Sequence, residues 1–169
     1  MSNKTIGSLG RGFGAGLVAT IVLSIFMVVM PAIGLLPGLN LVAVLSHALG
    51  AQSAVAGWIA HYVVGVLLWG ALFAWLDGKM FFPHWINGLL FASVVWLGVM
   101  LVIMPIAGEG VFGWRIGIVT PTITLFLHWI YGAVLGSVYG AWTPDALGTN
   151  FHRLNHPHDD LHHASAGKL

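Results

Sequence analysis

The stretch Phe13–Gly34, FGAGLVATIVLSIFMVVMPAIG, runs from one end to the other without a charged side chain. A helix of that length rises about 33 Å at 1.5 Å per residue, enough to cross a hydrocarbon core of about 30 Å. Three more stretches share its character: Ala54–Leu76, Ile86–Gly108 and Ile118–Trp142. Apolar residues make up 58% of the 169-residue chain and charged residues 7%, where a soluble domain carries about a quarter charged. These numbers predict an all-α fold, an integral membrane four-helix bundle. The apolar run of the first stretch exceeds the roughly 7–15 residues of a secretion signal's core, and no clear A-x-A cleavage site follows it. It is therefore expected to be retained as the first span.

The connections set the orientation. Lys4 and Arg11 precede the first span, Lys79 lies between the second and third, and Arg153 and Lys168 follow the fourth; only Arg115 falls on the opposite side. Basic residues gather on the cytoplasmic side, so both termini are expected there. Tryptophans support the same frame. Trp58 and Trp114 stand near the outer ends, and Trp75, Trp85 and Trp142 near the inner ends, as in an aromatic belt at each interface. The organisation expected is a cytoplasmic N-terminus (1–12), a transmembrane domain (13–142) and a cytoplasmic tail (143–169).

The chain repeats itself. FMVVMPAIG (Phe26–Gly34) and MLVIMPIAG (Met100–Gly108) share valine, the Met-Pro pair and glycine in register. Each is followed by a His-x-x-x-Gly step, His61 to Gly65 and His128 to Gly132. A two-helix repeat returns to the side it left, which predicts two parallel repeats related by an axis along the membrane normal. The Met-Pro pairs read as helix ends. Between the first two spans, Leu39–Leu49 is charge-free and too short to cross, which predicts a short outer interfacial helix. That helix carries His47. The matching connection, EGVFGWRIGIVTP (Glu109–Pro121), carries Glu109 and Arg115. Either a partner protein covers this outer face or the short helix lies on the membrane surface.

The paired histidines are the sharpest candidates for a site. Residues four apart share a helix face, so His61 and His128 lie beside small-residue stripes that pack helices in lipid. Both are expected to point inward at similar depth. Two such imidazoles suit the axial positions of a haem b, with Gly65 and Gly132 making room for the macrocycle. Only Arg115 offers itself to propionates. The competing reading is that each imidazole hydrogen-bonds across helices, to Ser24, Thr20, Ser93, Thr122 or Thr124. Trp69, Phe73 and Trp96 are expected on the outside, facing lipid or another subunit.

The tail places His152, His156, His158, His162 and His163 with Asp159 and Asp160 inside twelve residues. Imidazole with carboxylate suits a divalent transition metal such as zinc, copper or nickel; a solvated tail lying on a partner or on headgroups is the competing reading. The absence of cysteine removes thiolate metal sites, disulfides and a thiol nucleophile. Asp77 and Glu109 lie only at the edges of the spans, so no intramembrane pair of carboxylates exists for acid–base work. This argues against an enzyme. A net charge of +1 gives no footprint for nucleic acid.

The order of GLVAT (Gly16–Thr20), Met-Pro-x-x-Gly and His-x-x-x-Gly, with the last two repeated, resembles small four-helix bacterial membrane proteins of a domain-of-unknown-function family. The resemblance covers Phe13–Trp142. It implies a bacterial inner membrane and carries no activity. Three functions fit: a non-catalytic accessory subunit of a respiratory or photosynthetic membrane complex, a small haem or metal protein using His61 and His128, or a small-solute or metal transporter. The first is expected, because midplane polar groups and broken helices, the marks of a transporter, are scarce here.

Overall fold

A computed structural model describes residues 3–34 and 40–143. Among these residues the fold is all-α: α1 (Asn3–Ala32), the short α2 (Leu41–Ala48), α3 (Ala54–Asp77), α4 (His84–Ile106) and α5 (Thr120–Ala141). The four long helices are each long and apolar enough to cross a membrane. Three begin and end within two residues of the expected bounds. The exception is α1, which starts ten residues before Phe13, because nothing in Asn3–Gly12 breaks a helix: glycines there are tolerated and no proline intervenes.

The chain folds as two hairpins, α1 with α3 and α4 with α5, and α1 also packs along α5. Both hairpins close at glycines. A Cβ on Gly12 would strike the Gly70 carbonyl, and one on Gly88 would strike the Gly132 carbonyl. In lipid such close backbone approach replaces the hydrophobic drive that water would supply. The repeated helix ends also match locally. Pro31 and Pro105 stand in last turns, and Gly34 (φ +76°) and Gly108 (φ +86°) follow in the left-handed conformation, each donating its N–H to its own proline's carbonyl. Only glycine adopts that conformation without cost.

Two segments depart from regular α-helix. Val63–Trp69 in α3 and Val99–Ile103 in α4 are π-helical. The second has a clear cause, since Pro105 lacks an N–H and its ring clashes with the carbonyl four residues back, which the wider turn relieves. The two π segments occupy different helices of the two hairpins, so the halves are not copies in detail.

The core lies between α1, α3, α4 and α5 at the end where the hairpins begin: Ala15, Ala19, Phe73, Phe91, Leu135 and Tyr139. Phe73 stacks edge-on with Phe91 (5.5 Å) and Tyr139 (5.4 Å) and is 0% exposed. The expectation that Phe73 faces outward is therefore corrected. Trp69 and Trp96 are also partly buried, the first against Phe91 and the second bonded through Nε1 to Thr124. The sequence of an aromatic-rich helix does not by itself tell a core ring from an outward one. Lipid and core are equally apolar.

α2 is the short helix expected over Leu39–Leu49. Asn40 caps it, its side chain accepting from Ala43 N–H at 3.0 Å. It sits on the first turn of α3, where Gly57 lets the Val42 carbonyl approach and Ser46 bonds the Ser53 carbonyl at 2.9 Å.

Candidate functional site

The paired histidines lie inside the bundle region, about 10–12 Å along their helices from the α2 end. Their surroundings differ. His61 is 8% exposed and its Nε2 stands 3.1 Å from Ser24 Oγ on α1. Ser24 gives its one proton to the Thr20 carbonyl at 2.7 Å, so His61 Nε2–H donates to Ser24 Oγ. Edge-on rings of Trp58 and Tyr62 flank the imidazole. His128 is only half-buried, and its Nδ1–H donates to the Thr124 carbonyl of its own helix at 2.7 Å. The two imidazoles thus hold opposite tautomers, one bridging helices and one bonded within its helix.

The repeat explains the difference. An offset of 74 residues carries Ser24 onto Gly98, so the second hairpin has no hydroxyl where the first supplies one. The space beside the glycines is also taken. The Thr20 side chain fills the gap left by Gly65, and the Gly88 backbone with Ala92 fills that left by Gly132. The room expected at Gly65 and Gly132 is occupied by neighbouring helices, because in lipid small residues draw backbones together rather than leave a void.

One further residue joins the halves. Tyr131 of α5 donates its hydroxyl to the Gly65 carbonyl at 2.6 Å, inside the first π segment. Its hydroxyl also meets Thr20. Ser24, Thr20, Tyr131 and His61 form one buried polar set across α1, α3 and α5. Tyr131 follows the repeated histidine by three residues, which was the available signal for it.

A second polar cluster lies at the opposite end. Asp77, the last residue of α3, is 4% exposed. Its carboxylate accepts from His84 Nδ1 at 2.6 Å and from Asn87 Nδ2 at 3.0 Å. Tyr139 packs edge-on against the His84 ring, and Arg11 reaches the Tyr139 hydroxyl. Gly140 makes room for the His84 ring. Sequence reasoning placed Asp77 at a span edge and passed over His84 and Asn87. The spacing of the two, three apart at the start of a helix and one short turn after the aspartate, was the signal. The arrangement ties α3 to α4 and presents no third metal-type ligand: among the described residues no group of three or more His, Asp or Glu could hold a metal ion.

At the α2 end, a half-open cavity of about 460 Å³ lies between α1, α2 and the start of α3, with Phe26, Met27, Met30, Trp58 and Leu127 among its walls. Asn40, Ala43 and His47 line it and also line an adjoining cleft of about 330 Å³ that Glu109 and Arg115 face. Arg115 Nη1 donates to the Gly108 carbonyl at 2.7 Å. Phe112 in the same loop holds φ +58°, a strained conformation for a bulky residue, and its ring rests on Trp96 at 5.9 Å. The tail histidines His152, His156, His158, His162 and His163 lie outside the described residues.

No curated protein and no solved structure matches the chain. The match to a family covers residues 6–149, nearly the whole bundle and the start of the tail. The expected membership of a domain-of-unknown-function family holds, and the chain belongs to the family of unknown function DUF6789.

Proposed function

We propose that the protein is a non-catalytic integral-membrane subunit of a larger bacterial energy-transducing complex, respiratory or photosynthetic, seated in the inner membrane with both termini cytoplasmic. The observation that supports a non-catalytic role is the engagement of His61. This ionisable side chain inside a span fastens α3 to α1 through Ser24, and the other intramembrane polar groups do similar work: Trp96 on Thr124, Trp129 on Ser93, Tyr131 on Gly65. Meanwhile all four long helices turn large apolar side chains outward, among them Ile25, Ile59, Val94 and Phe126. Lipid and neighbouring helices cover such surface equally well.

The test is purification in mild detergent after cross-linking in native membranes. A defined set of co-purifying membrane polypeptides is expected; a chain that elutes alone overturns the reading. The chain lacks cysteine, so orientation is tested directly with single cysteines. Val111→Cys should react with an impermeant maleimide on intact spheroplasts, and Phe81→Cys, at a site 97% exposed, only after permeabilisation. The reverse pattern overturns the orientation. A haem b between His61 and His128 requires His61 Nε2 to leave Ser24, whereas His128 could ligate through Nε2 with its Nδ1–H still on the Thr124 carbonyl. A Soret band lost in both His61→Gln and His128→Gln would put that alternative in place of the subunit reading.

A further inference from the structure

The apolar cavity and the charged cleft at the α2 end share three wall residues, Asn40, Ala43 and His47. They therefore adjoin along one face of α2 and together offer two chemical ends. The larger part is walled by Phe26, Met27, Met30, Trp58 and Leu127, and its volume is in the range of sites that hold small molecules. Methionine side chains on such a wall adapt to a flexible chain. The smaller part is faced by one carboxylate, Glu109, and one guanidinium, Arg115. These two opposite charges face the same cleft without joining in a salt bridge, for among the described residues the ion pair formed is that of His84 with Asp77. Arg115 donates one N–H to Gly108 and retains others for an anion.

We infer that this site holds one phospholipid with a zwitterionic, primary-ammonium headgroup: an acyl chain in the cavity, the phosphate on Arg115 and His47, the ammonium on Glu109. The charge pattern selects this occupant. A purely anionic headgroup gains Arg115 but is repelled by Glu109, and a neutral headgroup satisfies neither. A quaternary ammonium has no N–H to donate to the carboxylate. The location agrees, because the site lies where α1 ends and α3 begins, at headgroup level for helices that cross the bilayer. The inference goes beyond the subunit reading and does not depend on it.

The experiment is native mass spectrometry of the full chain released from nanodiscs made of equal parts phosphatidylethanolamine, phosphatidylglycerol and phosphatidylcholine. One retained phosphatidylethanolamine is expected, favoured over either competitor by about fivefold, the scale of one exposed charge pair. Arg115→Gln should lower retention of all three lipids. Glu109→Gln should erase the preference for phosphatidylethanolamine over phosphatidylglycerol, a change that loss of a merely annular lipid would not produce. Ala43→Leu, which narrows the shared wall, should release the lipid while tryptophan fluorescence reports an intact fold. Equal retention of the three lipids, a preference for phosphatidylglycerol, or charge variants indistinguishable from the parent overturns the inference. So does retention of a native quinone in place of a phospholipid. Failure here leaves co-purification of partner subunits untouched, so the two readings are separable.

Discussion

Replacing Gly132 with alanine tests the claim that glycine contacts close the second hairpin. A Cβ at Gly132 would lie 2.6 Å from the Cβ of Ala92 and 2.9 Å from the Gly88 carbonyl carbon. Carbon atoms rest at about 3.5–4.0 Å, so α4 and α5 must part by about 1 Å, and a gap of that size forfeits a quarter to a half of each affected contact. The obstruction is backbone on one side, which cannot rotate away as a long side chain can. Overpacking of this kind costs about 1–3 kcal/mol, and the upper part of that range is expected. Gly98→Ala is the control, because nothing lies within 4 Å of a Cβ there and alanine favours helix by about 1 kcal/mol. The assay is reversible unfolding in mixed micelles with added sodium dodecyl sulfate, followed by tryptophan fluorescence. If Gly132→Ala unfolds at the same or a higher detergent fraction than the parent, as the unobstructed Gly98→Ala is expected to do, the crossing is not what holds α4 to α5 and the reasoning is refuted.

Three more outcomes follow from the same structure. Tyr131→Phe deletes the 2.6 Å bond to the Gly65 carbonyl, and should cost about 1–2 kcal/mol in the same unfolding assay. Asp77→Ala strips the buried carboxylate from His84 and Asn87 and should cost about 3 kcal/mol or more; Asp77→Asn, which keeps a carbonyl for Asn87, should fall well short of that. His61→Phe should cost about 1 kcal/mol by removing the donor to Ser24, whereas His128→Phe should cost less, since the Thr124 carbonyl keeps its bond within the helix. Equal losses at the two histidines would contradict the different partners assigned to them.

The spans were legible because lipid imposes a length and an apolar composition that few other constraints imitate. Both Met-Pro-x-x-Gly ends were legible because proline and a left-handed glycine act locally. The outward or inward sense of Phe73 was not, and neither was the burial of Asp77. A helix at the surface of a soluble protein marks its outer face with polar residues and its inner face with apolar ones. In lipid both faces are apolar, so position around the helix carries little signal. Asp77 joined His84 across the Gly78–Pro83 turn only when α3 and α4 met at their ends, a tertiary event without a periodic trace.

The duplicated histidines show how far a shared motif constrains shared chemistry. His61 and His128 sit at matching points of matching helices, each four residues before a buried glycine. What each imidazole does is decided by the helix opposite. Ser24 on α1 offers an oxygen, so His61 turns Nε2–H across the interface; at the equivalent point α4 has Gly98, so His128 turns Nδ1–H back to its own Thr124 carbonyl. A polar side chain in hydrocarbon takes whichever partner is within reach, because leaving its donor unmet costs several times what any one bond returns. The repeat therefore copied the positions and the helix ends, while one hydroxyl present in α1 and missing from α4 made a cross-helix fastener of one histidine and a local bond of the other.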